Sequence, residues 1–374
     1  MVQLRPLLIL GTRPEAIKMA PVVLECARRG RQLKPIICFT GQHDEMLRQV
    51  TDYFGIVPDL DLKVMSAGQS LAQLTARCLT SLDDLVAREK PDCLVAQGDT
   101  TSVLAASMVA FYRQLPFVHV EAGLRTGNLQ QPWPEEFNRR VASLTTTLHA
   151  APTERAKGNL LREGIPAQQI RVTGNTVIDA LLWTSERERK STAWPDRYSF
   201  LQNRQMVLIT THRRENHGGG LDQICQAIAE LARKFPETAF VLPVHLNPYV
   251  KSTVEVSLAG ISNVHLLRPL PYPEFVWLMD RAKLILSDSG GVQEESPSLK
   301  RPVLVLRETT ERQEAVDCGA VAIVGSDCES IVAGATRLLT DEKAYRSMQV
   351  ESSPYGDGRA ATRIVDWLLE HFAS

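Results

Sequence analysis

Several familiar signatures are missing from this 374-residue chain. No G-x-G-x-x-G follows its first apolar run, so the dinucleotide fingerprint is absent. There is no Gly-Lys dipeptide, which excludes a Walker A loop, and no Tyr-x-x-x-Lys pair, which removes the usual short-chain dehydrogenase dyad. Neither H-E-x-x-H nor any Cys/His cluster with metal-ligand spacing occurs. NAD, ATP and structural zinc are therefore not expected, and the chain reads as needing no cofactor. An excess of charge is missing too. With 42 basic and 43 acidic residues and a net charge of -1, the chain offers no nucleic-acid surface and no polybasic membrane anchor.

Long apolar runs are also lacking. None approaches the ~18 residues that would span a bilayer. The first, Leu7–Leu10, is too short for a signal-peptide core and is followed by no small-residue cleavage site. Seven cysteines (Cys26, Cys38, Cys78, Cys93, Cys225, Cys318 and Cys328) are scattered, odd in number and never spaced as C-x-x-C. No Asn-x-Ser/Thr sequon is present. Reduced thiols and a cytoplasmic location are the expectation.

What remains is an ordinary globular composition, 44% hydrophobic and 23% charged. At roughly 100–200 residues per domain, the length predicts two domains, each able to bury a core. Short β-branched or leucine-rich runs alternate with amphipathic stretches. Strands are predicted at Leu7–Leu10, Pro35–Phe39, Cys93–Ala96, Phe117–Val120 and Ile170–Thr173, with helices at Glu15–Arg28, Leu71–Arg88, Thr101–Tyr112 and Thr153–Arg162 between them. The second half repeats the rhythm. Strands fall at Val207–Thr210, Ala239–Pro243, Val264–Leu267, Leu284–Ser287 and Val303–Leu306, and helices at Leu221–Lys234, Glu274–Arg281, Gln293–Leu299 and Ser330–Leu339. Such alternation implies βαβ units and parallel sheets covered on both faces. The polar stretch Ser185–Arg197 can end a long helix and cross between domains. The predicted organisation is two doubly wound α/β domains, 1–172 and 173–357, with a last helix in 358–374 returning to the first. Open α/β sheets bind ligands beyond the carboxyl ends of their strands, so strand-to-helix turns carry the functional signal.

The first such turn, Gly11-Thr12-Arg13-Pro14-Glu15-Ala16-Ile17-Lys18, places Arg13 past a strand end and Lys18 a turn into a helix. Two cations there suit a diphosphate, although a capped helix with solvated charges explains the same residues. In Gln97-Gly98-Asp99-Thr100, Asp99 reads either as a helix cap or as a functional acid. Glu121, directly after a predicted buried strand, has less structural reason to be there. Glu135 opens a further helix in Trp133-Pro134-Glu135-Glu136, where Glu135–Arg139 and Glu136–Arg140 have i,i+4 spacing. Three acids at strand ends or helix starts of one domain point to proton transfer. The second domain offers cations and a phosphate cradle: His212 in Thr211–Gly220, the turn Ser289-Gly290-Gly291, Glu295 about a turn later, and Arg312. Glycines let phosphate reach backbone N–H groups at a helix N-terminus, where the dipole favours anions. Acids in one domain and a diphosphate site in the other suggest a nucleotide-sugar enzyme, leaving open a glycosyltransferase or an enzyme that alters the sugar itself.

The segments GTRPEAIKMAP, QGDTTS, HVEAGLRTG, PWPEEFNRR, VTGNTVIDAL, THRREN, PVHLNP and DSGGVQEESPSLKRPVLVLRETTER together resemble the non-hydrolysing UDP-N-acetylglucosamine 2-epimerases, over residues 7–345. The resemblance implies a GT-B fold with its two domains facing a central cleft. It also implies a homodimer, and conversion of UDP-N-acetylglucosamine to UDP-N-acetylmannosamine for envelope polysaccharide synthesis. By it, Asp99, Glu121 and Glu135 match the acid/base carboxylates and His212 the histidine that stabilises the leaving diphosphate. Arg13 and Lys18 match active-site cations, while Phe275, Ser289, Gly290, Gly291, Glu295 and Arg312 match uridine, phosphate and ribose contacts.

Gln42, His43 and His245 match a region where some members bind a second, activating substrate molecule. Glu45 and Gly68 stand where those members carry glutamine and arginine, and Gln97 where many carry histidine. The chemistry agrees with what is missing. The C2 hydrogen is not beside a carbonyl and no NAD fingerprint exists, which leaves elimination of UDP to a 2-acetamidoglucal and re-addition on the other face. Three alternatives remain: a hydrolysing epimerase, a GT-B glycosyltransferase and a binding protein without catalysis.

Overall fold

The computed structural model describes residues 3–41, 44–66, 68–211 and 219–372. Its chain forms two compact units, Met1–Ala180 with Tyr355–Ser374, and Leu181–Pro354. The first contains β1 (Pro6–Leu10), β2 (Ile36–Phe39), β3 (Leu60–Asp61), β4 (Cys93–Gln97), β5 (Phe117–Val120), β6 (Leu148–Ala151) and β7 (Ile170–Val172). They make a parallel sheet of order β3-β2-β1-β4-β5-β6-β7. The crossovers carry α1 (Arg13–Arg28), α2 (Asp44–Phe54), α3 (Leu71–Glu89), α4 (Thr101–Tyr112), α5 (Glu135–Thr145) and α6 (Glu154–Arg162).

The chain then leaves along α7 (Thr176–Glu188) and α8 (Ala193–Arg197). The second unit holds β8 (Met206–Thr210), β9 (Ala239–Pro243), β10 (Val264–Leu267), β11 (Leu284–Ser287), β12 (Val303–Val305) and β13 (Val321–Ile323). Its parallel sheet has the order β10-β9-β8-β11-β12-β13, the same winding as the first. Its helices are α9 (Gly220–Lys234), α10 (Pro248–Leu258), α11 (Tyr272–Arg281), α12 (Gly290–Glu295), α13 (Gln313–Asp317), α14 (Cys328–Thr340) and α15 (Glu342–Ser347). The last helix, α16 (Ala360–Phe372), packs on α1 of the first unit, with Arg29 Nη2 2.6 Å from Asp366.

Uninterrupted apolar runs become central strands because both faces of each sheet are covered. Every residue of β1, β4, β5 and β11 is buried. Cores form around Leu7, Ile9, Leu94 and Phe117 in the first unit and around Val207, Ile209, Phe240 and Leu286 in the second. Among the described residues no helix is long and apolar enough to cross a membrane.

Elements absent from the sequence reading have short or contrary local signals. β3, β6 and β13 span two to four residues and exist through pairing with a neighbour already in place. α10 contains Val250, Thr253, Val254 and Val256, a β-favouring set, yet Pro248 in its first turn and Asn247 as its cap start a helix. The single helix predicted over Gln293–Leu299 is instead α12 followed by a 3₁₀ turn over Ser296–Leu299, where Pro297 cannot continue the α-helical ladder.

In both sheets the strand order reverses beside the first strand, between β1 and β4 and between β8 and β11. The crevice at such a switch point lies outside the carboxyl ends of those strands. The turns after β1 and β4 carry Arg13 and Asp99, and the turn after β11 carries Ser289.

Candidate active site

Glu121 follows β5 directly, is 8% exposed, and has a φ of 66°. A left-handed backbone at a non-glycine residue costs energy and turns the side chain away from the line of the strand. The carboxylate it places is gripped on both oxygens. Lys18 of α1 and the Asn175 side-chain amide (2.9 Å) donate to Oε1, while Gln97 at the end of β4 donates to Oε2. The structure thus joins Lys18 and Glu121, which the sequence motifs left separate.

Asp99 follows Gly98 in the turn after β4. The helix-cap position belongs to Thr100 rather than Asp99. The Asp99 carboxylate instead accepts from Arg139 of α5, at 2.8 Å from Nε and 2.7 Å from Nη2. Asn138 donates to its backbone carbonyl at 2.8 Å. The expected i,i+4 pairing of Glu135 with Arg139 is therefore superseded: Arg139 goes to Asp99 and to buried Glu136 at 3.2 Å. Glu136 also accepts the backbone N–H groups of Thr126 and Gly127 at 3.1 and 3.3 Å, tying α5 to the loop after β5. Glu135, the first residue of α5, is half-buried.

Two buried groups to which the motifs gave no role in the site hold these turns. His119 of β5 lies with Nε2 2.6 Å from the carbonyl of Gly98, so this nitrogen carries the proton and donates. Burial drives its pKa down to about 4, keeping the ring neutral, and it stacks on Phe117. Glu15 is the second. Its carboxylate accepts the N–H groups of Gly11 and Thr12 at 3.0 and 2.6 Å and the Thr100 hydroxyl at 2.6 Å, joining the turns after β1 and β4. Gly11 is required there: a Cβ would sit 2.5 Å from Ser102 Oγ and 2.8 Å from Thr40 Oγ1.

Burial raises the Glu15 pKa from 4.5 to about 7, against the opposing hydrogen bonds. Because the folded value lies above the unfolded one, the stability tied to the protonated form is present below about pH 4.5 and is lost as pH rises through about 7. Relative to Glu15→Gln, which keeps the shape without the charge, wild type loses about 3 kcal/mol across that interval at about 1.4 kcal/mol per pKa unit. Urea midpoints of both proteins at pH 5 and pH 8 measure this; parallel midpoints at the two pH values would refute it.

The second unit assembles the other candidate residues. Ser289 caps α12, and Gly290 and Gly291 form its first turn. Arg312, immediately before α13, packs so closely over Gly290 that a Cβ there would lie 3.4 Å from its guanidinium carbon. Glu294, almost fully buried, anchors Arg312 at 2.8 Å, and Thr310 donates to Gln293 at 2.6 Å, fixing the same loop to α12. Glu295 accepts the Tyr272 hydroxyl at 2.9 Å, and Phe275 lies on the same helix α11 as Tyr272. A cation packed over the glycine turn that opens a helix is an arrangement for binding phosphate oxygens.

His245 lies in the exposed loop after β9, where its Nδ1 accepts the Asn247 N–H at 3.1 Å. Arg13 is the first residue of α1 and is half-buried. His212, Gln42 and His43 lie outside the described residues. Among the described residues no group of His, Cys, Asp or Glu is placed to hold a metal ion.

A family model for UDP-N-acetylglucosamine 2-epimerases matches residues 24–369. The chain belongs to that family. A UDP-N-acetylglucosamine 2-epimerase of Yersinia pestis is 51% identical over 98% of this chain and 99% of its own length. The crystal structure of UDP-GlcNAc 2-epimerase from Neisseria meningitidis bound to UDP-GlcNAc superposes with a TM-score of 0.91 at 48% identity, covering 98% of this chain and 100% of that one. The Methanocaldococcus jannaschii UDP-GlcNAc 2-epimerase in complex with UDP-GlcNAc and UDP gives a TM-score of 0.81 at 33% identity, with 98% and 100% covered. The paired Rossmann-like units are those of a GT-B epimerase, so the winding read from the sequence and the family that its motifs resemble agree.

Proposed function

We propose that the protein epimerises UDP-N-acetylglucosamine at C2, reversibly giving UDP-N-acetylmannosamine, by eliminating UDP and adding it back. The observation that carries the reading is the Glu121 carboxylate, held at a strand end by Lys18, Gln97 and Asn175. A carboxylate fixed in this way is suited to proton transfer. The first unit contributes Asp99, Glu121 and Glu135 as proton-transfer groups, with Arg13 and Lys18 as cations. The second contributes the grip on the nucleotide: Ser289, Gly290, Gly291 and Arg312 on the diphosphate, and Phe275 and Glu295 on uridine, with His212 assigned to the departing phosphate. Relatives crystallised with UDP-GlcNAc support that substrate.

In the forward step a carboxylate takes the C2 proton, the C–H electron pair becomes the C1=C2 bond, and the C1–O bond breaks with its pair going to the β-phosphate. UDP leaves as an anion and the sugar becomes 2-acetamidoglucal. In the return step UDP oxygen re-forms the bond to C1 while a second carboxylic acid delivers a proton to C2 from the opposite face. The sum is redox-neutral and consumes no water, so the reading calls for no cofactor. The leaving group is stabilised by preorganised donors where its charge develops. The same reading makes the protein a cytoplasmic homodimer whose product supplies envelope polysaccharide synthesis.

Proton NMR of the protein with UDP-N-acetylglucosamine in D2O, without added cofactor or acceptor, tests the reading. UDP-N-acetylmannosamine deuterated at C2 is the expected product. Free N-acetylmannosamine with UDP would replace it by a hydrolysing reaction, and unchanged substrate would overturn the proposal.

A further inference from the structure

We infer that Asn175 is a positioning residue for the Glu121 carboxylate, and that its amide polarity, set by the local fold, is what turnover requires. The inference rests on the proposed proton-transfer role of Glu121.

Asn175 lies just past β7 and is 2% exposed. Its Oδ1 accepts the backbone N–H of Val177 at 3.0 Å, capping the start of α7, and its Nδ2 donates to Glu121 Oε1 at 2.9 Å. A backbone N–H can only donate, so the oxygen of this amide must face Val177 and the NH2 group must face Glu121. The helix cap thereby dictates which end of the amide meets the carboxylate.

The backbone of Asn175 is held as firmly as its side chain. Its N–H donates to the Tyr355 carbonyl at 2.7 Å, where the chain returns to the first unit. Gly174 before it has φ 88° and packs against Gly356, with 3.4 Å from a would-be Cβ to Gly356 Cα. One turn into α7, Asp179 accepts the first N–H groups of α16, from Ala360 at 3.2 Å and Ala361 at 2.8 Å. Arg363 of that helix donates to the Thr173 carbonyl at 3.0 Å. Exit and return of the chain therefore meet at one point, and the side chain at that point touches Glu121.

Among the described residues, the side chains that donate to Glu121 are Lys18 from α1, Gln97 from the end of β4 and Asn175 from the β7–α7 turn. Lys18 is the cation among them, and Asn175 and Lys18 share Oε1. With Lys18 on a flexible stem, the rigid amide selects one orientation of the carboxylate. Preorganisation of this kind acts on the chemical step more than on substrate binding.

Asn175→Asp tests the polarity while sparing the cap, because Asp still accepts from Val177 and caps as well as Asn does. The variant sets an acceptor against Glu121, so the two carboxylates must share a proton before they can approach. The expected result is a fall in kcat of roughly 10- to 100-fold. The kcat–pH profile moves to higher pH by about one unit or more, since Glu121 accepts a proton only after the shared one has left. KM for UDP-N-acetylglucosamine and the affinity for UDP stay within about two-fold, because the glycine turn and Arg312 assigned to the diphosphate are in the second unit and Asn175 is in the first.

Asn175→Ser keeps a capping oxygen but withdraws the contact. It is expected to lose kcat by roughly 10-fold with an unmoved pH profile, and it serves should the aspartate variant fail to fold. Wild-type kcat and an unmoved pH profile in a folded Asn175→Asp protein, or wild-type kcat in Asn175→Ser, would overturn the inference. Wild type is measured alongside: absence of C2 exchange in wild type defeats the epimerase reading, whereas exchange in wild type and in both variants alike defeats only the role of Asn175.

Discussion

Replacing Glu121 by Gln lowers the rate of C2 hydrogen exchange by ~10²–10⁴-fold, the range expected when a positioned acid–base group is removed. The substitution is nearly isosteric and leaves nucleotide binding in place, because Ser289, Gly290, Gly291 and Arg312 belong to the other unit. It also tests the surroundings. Lys18, Gln97 and Asn175 all donate to this carboxylate, and a glutamine amide can satisfy them on one end only. The loss is therefore expected in kcat, with UDP affinity measured by calorimetry within a few-fold of wild type. Asp99→Asn behaves similarly but also disturbs Arg139, whose two contacts to Asp99 are 2.8 and 2.7 Å. Undiminished exchange in Glu121→Gln would remove Glu121 from the chemistry.

Arg312→Leu carries the second large effect, on binding. The guanidinium lies over Gly290, beside the N-terminal turn of α12, and is held by Glu294. Deleting a hydrogen-bonded, partly buried charge that contacts an anion costs about 2–4 kcal/mol, or roughly 30- to 1000-fold in Kd for UDP. The Glu294 carboxylate, 2% exposed, also loses its contact with Arg312, which lowers stability in the free and the bound protein alike. Glu294→Gln, which keeps a neutral acceptor for Arg312, is expected to weaken UDP by less than Arg312→Leu does. Calorimetric titration of UDP into the three proteins gives the order directly. Equal affinity in wild type and Arg312→Leu would show that the phosphates are held elsewhere.

Both effects are expected to separate cleanly in kinetics. The Glu121 substitution removes an interaction used in the transition state, whereas the Arg312 substitution weakens the hold on substrate and leaving group alike, raising KM along with any fall in kcat.

Much of this protein was legible in its residues alone. Uninterrupted apolar runs such as LLIL (Leu7–Leu10) and CLVA (Cys93–Ala96) read as central strands of covered parallel sheets, and their alternation with amphipathic stretches implies the double winding. Because ligands gather at the carboxyl ends of such strands, Asp99, Glu121 and the Ser289-Gly290-Gly291 turn stood out without coordinates. The family was read from the joint occurrence of eight motif segments over residues 7–345.

Partnership was decided only by the tertiary structure. Arg139 lies at i,i+4 from Glu135, yet it pairs with Asp99, forty residues away in sequence, because α5 packs against the turn after β4. Glu15, in the first turn of α1, becomes a buried clamp between two turns once β1 and β4 lie side by side. Asn175 is 54 positions from Glu121 and carries no sign of that contact in its own motif. Local sequence determines backbone preference and which face is apolar, since both depend on near neighbours. Hydrogen-bond partners far apart in the chain exist only after the sheet has set its order of strands, and that order placed Lys18, Gln97 and Asn175 around one carboxylate.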